Sequence, residues 1–330
     1  QNRQLISIDM AREHGVPIQW SPENIPEPEF RGRRVVDDVS LEEIAGYIDW
    51  TFFFSAWGLK GKFPRIFEHE RHGAAARELY ENGRALLDRI ISESLLTPRG
   101  VYGFWPANRD GDDIVVWNDD GRKEERLRFP MLRQQSAKPN EQPYFCLADF
   151  VAPLGKGLAD HIGAFAVTTG IGANDLANSF ERDHDDYHAI MVKALADRLA
   201  EAFAELLHGR ARRQWGYETE GAFTKEELIA EKYRGIRPAF GYPACPDHTE
   251  KRTLWELLGA DEVGISLTEH FAMNPGASVS GIYLGHPKSR YFAVGPIDRD
   301  QVEDYAARKS MSIAEVERWL QPNLGYERGN

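Results

Sequence analysis

Cysteine is scarce: this chain of 330 residues has two, Cys146 and Cys245. Two thiols cannot build a disulfide framework or a cysteine-based metal site, and they fit a reducing compartment, so a cytoplasmic location is expected. Long apolar runs are missing as well. No stretch approaches the roughly 18 uninterrupted apolar residues of a membrane span, and no secretory signal pattern opens the chain. Positive charge is the third shortage, since 40 Lys and Arg against 52 Asp and Glu leave a formal net charge of -12. Nucleic-acid affinity rests on cations that neutralise phosphates, so neither nucleic acid nor a membrane is an expected partner. Local basic groups at Arg31-Gly-Arg-Arg34 and around Arg210, Arg212 and Arg213 read as solvated surface. The chain starts at Gln1 rather than methionine, which points to a piece cut from a longer polypeptide or to a processed terminus.

Several signatures of chemistry are also wanting. Gly170-Ile-Gly172 follows an apolar strand and precedes a helix, but Asp175 stands where a dinucleotide-binding turn needs its third glycine. A Rossmann fold is therefore not expected. His184-Asp-Asp-Tyr-His188 sets two histidines at i and i+4, yet Asp185 replaces the glutamate of a zinc protease and no third ligand has motif spacing. No Gly-x-Ser-x-Gly occurs, and neither cysteine sits beside a recognisable base pattern. No catalytic residue and no metal ligand is assigned.

What the chain has is 42% hydrophobic residues, enough for a large core. The first 39 residues carry Pro17, Pro22, Pro26 and Pro28 and read as an extended arm. Ser40 with Glu43 opens a helix, and a run dense in aromatics follows from Trp50 to Trp57. Apolar spacing predicts a helix from about 63 to 96, reshaped near Gly73, and a longer one from about 174 to 207. Between them, Val101–Trp105 and Ile114–Trp117 flank a turn cluster and read as a hairpin, and His161–Val167 reads as a buried strand. Thr224 with Glu227 caps a short helix; strands are expected at 277–284 and 290–294, and helices at 301–308 and 312–320. Strands come in runs without βαβ alternation, so the expected class is α+β, with a largely antiparallel twisted sheet, long helices and one integrated domain over 1–330.

The densest signal is Arg237-Pro-Ala-Phe-Gly-Tyr-Pro-Ala-Cys-Pro-Asp-His248. Three prolines fix φ and remove donors, and Gly241 permits a path other residues resist, so a stiff extended loop is expected. It would present Arg237, Tyr242 and its backbone groups either as a rigid surface connection or as a cradle for ligand.

Tyr47-Ile-Asp-Trp-Thr51, Phe104-Trp-Pro-Ala-Asn108, Cys146-Leu-Ala-Asp-Phe-Val-Ala-Pro153, Gly235-Ile-Arg-Pro-Ala239, Gly241-Tyr-Pro-Ala-Cys-Pro246 and Pro275-Gly-Ala-Ser-Val-Ser-Gly281, together with Asn323-Leu-Gly-Tyr326, closely resemble the C-terminal activation domain of cobalamin-dependent methionine synthase. The resemblance covers almost the whole chain. It implies a module of a multidomain methyltransferase that binds S-adenosylmethionine and supports rescue of cobalamin oxidised to the inactive cob(II) form. Its implied partners are the cobalamin-binding domain of the same enzyme and flavodoxin or a related flavoprotein that supplies an electron. The chain lacks the Asp-x-His-x-x-Gly cobalamin motif, so cobalamin would be held by a neighbouring domain and no methionine synthesis is expected from this chain alone. By matching motif, Asp49, Arg237, Tyr291 and Phe292 lead the implied cofactor-binding set, with Glu201 and Tyr242 behind them. Phe240 departs from a second proline common at that place in the family. A module that docks the cobalamin domain and flavodoxin without binding cofactor is the alternative.

Overall fold

The computed structural model describes residues 4–139 and 142–327, so the first three residues of the expected arm lie outside the described residues. The arm is not extended throughout. It holds helix α1 (Ile8–Glu13), where Ser7 accepts from the Met10 amide, and strand β1 (Gly32–Val36). Helix α2 (Leu41–Ala45) starts where Ser40 Oγ accepts from the Glu43 amide at 3.1 Å. The aromatic run becomes a 3₁₀ segment, Trp50–Trp57, that buries Trp50, Phe53 and Phe54. It packs on helix α3 (Gly73–Ser92): the Trp50 and Tyr80 rings meet at 4.9 Å. The expected helix thus begins ten residues late, after a 3₁₀ turn at Arg65–Glu68.

Strands β2 (Thr97–Asp110), β3 (Asp113–Trp117) and β4 (Glu125–Pro130) form a meander, followed by β5 (His161–Ile171). The helix expected over 174–207 is two, α4 (Ala173–Arg182) and α5 (Asp186–Gln214). His184 adopts φ 57 and the Asp185 carboxylate accepts from the His188 amide at 3.1 Å, so a side chain that competes for backbone N–H ends one helix and caps the next. At 1.5 Å per residue, α5 is about 45 Å long. Short helices α6 (Lys225–Ile229) and α7 (Glu250–Leu258), the small ribbon β6 (Ser266–Leu267) and β7 (Met273–Asn274), and strand β8 (Ser278–Tyr283) follow. Helices α8 (Arg299–Lys309) and α9 (Ile313–Trp319) close the chain. No strand forms at Arg290–Val294; that segment runs against the proline loop, where the Val294 amide donates to the Pro243 carbonyl at 2.8 Å.

The main sheet runs β4-β3-β2-β5-β8, with β1 sharing an edge of β2 with β3, and every pairing is antiparallel. This is the expected α+β class. Strand alternation sorts side chains onto two faces. Tyr102, Phe104, Phe165 and Val167 join α3 and α5 in one core, while Val101, Trp105, Ile162 and Ala164 join α7 in the other. Fully burying a side chain such as Phe165 or Phe203 stabilises by about 1.5–3 kcal/mol. No helix among the described residues is long and apolar enough to cross a membrane.

Candidate functional site

Where the outer edge of β8 meets the proline loop, backbone chemistry sets the site. The Ile236 and Leu284 amides and carbonyls pair reciprocally at 3.0 Å, and the Ile282 amide donates to the Pro238 carbonyl at 3.0 Å. Gly281 permits this approach, for a Cβ there would lie 2.4 Å from the Pro238 oxygen. Proline has no N–H to extend the ladder, so the chain turns away from the sheet edge after Pro238. The turn is closed by the Gly241 amide on the Cys245 carbonyl at 2.9 Å and the Cys245 amide on the Tyr242 carbonyl at 3.0 Å, which leaves Tyr242 65% exposed at its tip.

Two hollows open around this loop. One, of about 460 Å³, lies among Glu201, Phe240, Tyr242, Ser278, Tyr291 and Phe292; the other, of about 380 Å³, lies among Tyr47, Asp49, Phe52, Arg198, Glu205 and Glu231. Glu201 and Arg237 line both. All six residues named from sequence, Asp49, Arg237, Tyr291, Phe292, Glu201 and Tyr242, thus surround one divided groove although they come from four separate stretches of chain. Asp49 also caps the aromatic 3₁₀ segment, its Oδ1 accepting from the Thr51 amide at 2.9 Å, so a capping role and a place in the groove coexist. The Tyr291 hydroxyl accepts from the Arg237 backbone amide at 3.0 Å and ties the loop to the segment after β8. Phe292 packs against Phe145, with ring centroids 5.5 Å apart.

Arg237 is the hinge between the hollows. Its Nη1 donates to the Tyr233 hydroxyl at 2.6 Å and to His208 Nδ1 at 3.3 Å, and forms an ion pair with Glu205 Oε2 at 2.8 Å. Burial works against the guanidinium charge, but Glu205, Tyr233 and Tyr291 more than offset it and hold its pKa above the ordinary arginine value. Burial, with Arg212 and Arg237 beside it, drives the His208 pKa far below the usual imidazole range, so that ring stays neutral and can accept. In the wall of the first hollow, Lys251 donates to the Phe271 carbonyl at 3.0 Å, and burial pushes its pKa down.

Glu205, Tyr233 and His208 escaped the sequence reading. A signal for Glu205 was present: it follows Glu201 by four residues on α5, which puts both carboxylates on one helix face. Nothing local announced Tyr233 or His208, whose relevance comes only from long-range packing. The His184/His188 pair stays apart from the groove, with His188 Nδ1 2.7 Å from Asp185, and no group of three potential metal ligands exists among the described residues.

Chemically, the groove offers a charged planar fork between hollows, exposed aromatic rings on one side and carboxylates on the other. The family model described as the vitamin B12 dependent methionine synthase activation domain matches residues 40–310. A solved structure described as the MetH reactivation domain bound to AdoHcy is 53% identical; the match covers 98% of this chain and 99% of that one, at a TM-score of 0.94.

Proposed function

The chain belongs to the activation-domain family of vitamin B12 dependent methionine synthases, and from that premise we propose that its divided groove binds S-adenosylmethionine in support of cobalamin reactivation. The observation that carries this reading is the convergence of Asp49, Glu201, Tyr242, Tyr291 and Phe292 around Arg237. The donor set fits the molecule. A carboxylate suits the Arg237 fork, a geometry lysine cannot reproduce. An ammonium and a sulfonium suit the second hollow, where Asp49, Glu201, Glu205 and Glu231 outnumber Arg198 and Arg237. Adenosine suits the first, where Tyr242 and Tyr291 can stack on it or face the sulfonium, a contact typically worth about 0.5–2 kcal/mol. The related protein's complex with AdoHcy, which is the same molecule without its methyl group, supports the assignment.

Bound here, the ligand supplies a methyl cation that, with one electron from flavodoxin or a related flavoprotein, converts cob(II)alamin to methylcobalamin and leaves S-adenosylhomocysteine. The residues of this chain bind and orient; none is assigned acid–base work, because transfer from a sulfonium depends on alignment. Cobalamin enters on a neighbouring domain of the same methyltransferase. We assign the module to the cytoplasm, where thiols such as the free Cys146 and Cys245 stay reduced.

Calorimetric titration with S-adenosylmethionine tests the reading. Arg237→Ala is expected to weaken binding by about 1.5–3 kcal/mol, roughly ten- to a hundredfold, and Arg237→Lys to recover only part. No heat from the wild-type chain would leave the docking-only alternative standing. Unchanged affinity with a lowered ligand-free melting temperature would make Arg237 a clamp on the loop instead.

A further inference from the structure

Resting on the reading that Arg237 grips the ligand carboxylate, we propose that Glu205, seconded by the Tyr233 hydroxyl, is the positioning residue that decides which edge of the guanidinium meets that carboxylate. The contacts on Nη1 form a closed figure. Nη1 lies 2.8 Å from Glu205 Oε2 as an ion pair and donates to the Tyr233 hydroxyl at 2.6 Å, and that hydroxyl donates in turn to the same Oε2 at 3.3 Å. His208, the second acceptor, is itself fixed: its ring is fully buried and stacks on Tyr283 of β8 at 4.9 Å and 3°. Among the described residues, Arg237 Nε and Nη2 have no hydrogen-bond partner. A guanidinium is a rigid planar fork with five N–H groups, so anchoring Nη1 fixes the plane and leaves the Nε–Nη2 edge, which has the spacing for a bidentate carboxylate. Glu205 does this from behind. Its side chain is 11% exposed and its second oxygen, Oε1, is buried without a partner, so the residue acts through Arg237 and not on the ligand.

Charge balance points the same way. An isolated buried guanidinium is costly, and the nearby Glu205 carboxylate offsets that cost for Arg237. Glutamine at 205 would keep the shape and one acceptor oxygen while removing that compensation. The consequence should fall on ligands that use the fork and spare those that do not.

The experiment is calorimetric titration of the full chain with S-adenosylmethionine and with decarboxylated S-adenosylmethionine as the probe that lacks the carboxylate, for wild type, Arg237→Ala, Glu205→Gln and Tyr233→Phe. Glu205→Gln is expected to weaken S-adenosylmethionine roughly five- to twentyfold and the decarboxylated probe less than about twofold, with Tyr233→Phe smaller and in the same direction. Equal loss for both ligands, or loss for neither, overturns the positioning role. If Glu205→Gln fails to fold, Tyr233→Phe decides on the same criterion. A wild-type chain that takes up no S-adenosylmethionine refutes the proposed function itself, whereas a carboxylate-selective effect of Arg237→Ala without one from Glu205→Gln refutes the positioning role alone.

Discussion

Gly241 shows how one residue can govern a binding loop without touching ligand. Its φ of +92 lies in the region that side chains resist, and an added Cβ would sit 2.3 Å from the His248 ring. That ring is not free to retreat, because the Lys251 ammonium approaches its Nδ1 at 3.2 Å while also holding the Phe271 carbonyl. Gly241→Ala should therefore lower stability by about 1–3 kcal/mol, the usual cost of a strained backbone position, and weaken ligand binding as the Tyr242 tip shifts. Chemical denaturation and titration of the same variant check this. Unaltered stability would mean that the loop yields easily and is no rigid cradle. Arg237 illustrates the opposite limit, a residue legible by type but not by environment. Its identity suggested a carboxylate partner, yet its nearest carboxylate is Glu205 of its own chain, 2.8 Å away.

Among elements, what the sequence disclosed and what it hid divide along range of interaction. Capping at Ser40 and Thr224 was readable because each cap is decided within four residues, and both side chains accept from the amide three positions on. The break between α4 and α5 was not, since the apolar spacing runs on past it and only the backbone contest won by Asp185 interrupts the helix. Arg290–Val294 reads as a strand by composition, but β8 already has β5 on one edge and Ile236–Pro238 on the other, so no ladder remained for it. The site follows the same rule: motif residues Asp49, Arg237, Tyr291 and Phe292 were found by resemblance, whereas Tyr233 and His208 required the packing of α5 against the loop. A link between α7 and α8 gives a prediction at this scale. Lys309 donates to Asp247 Oδ2 and Thr249 Oγ1, each at 2.7 Å, and to the Glu250 carboxylate. Burial raises the Glu250 pKa to about 7 despite the nearby Lys309 ammonium. A carboxyl that binds its proton more tightly when folded contributes stability that is complete below its unfolded pKa of about 4.5 and fades as pH rises through about 7. Glu250→Gln should thus gain on wild type as pH climbs across that window, read from denaturant midpoints between pH 5 and pH 8. A stability difference that stays flat with pH would show that Glu250 is ionised in the fold.

For the molecule as a whole, four of the large apolar residues left in water among the described residues gather where the groove opens. Phe52 is 60% exposed, Ile229 53%, Tyr242 65% and Tyr291 44%, and each lines one of the two hollows. Monomeric proteins rarely leave such side chains together unless something covers them. The proposed chemistry names the cover, because a methyl group held in this groove must meet a cobalt carried by another domain. The chain alone should then bind S-adenosylmethionine and form no S-adenosylhomocysteine until cobalamin-bearing protein and an electron donor are added. Phe52 and Ile229 line the second hollow but lie outside the set assigned to the cofactor, so losing both should cost docking more than binding. Phe52→Ser combined with Ile229→Ser should weaken S-adenosylmethionine on titration by no more than about threefold, under ~0.7 kcal/mol. The same pair should raise several-fold the concentration of cobalamin domain needed for half-maximal methyl transfer. Transfer that proceeds at wild-type concentrations of the cobalamin domain would move the docking face elsewhere on the molecule, and transfer by the chain alone would end the division of labour between the domains.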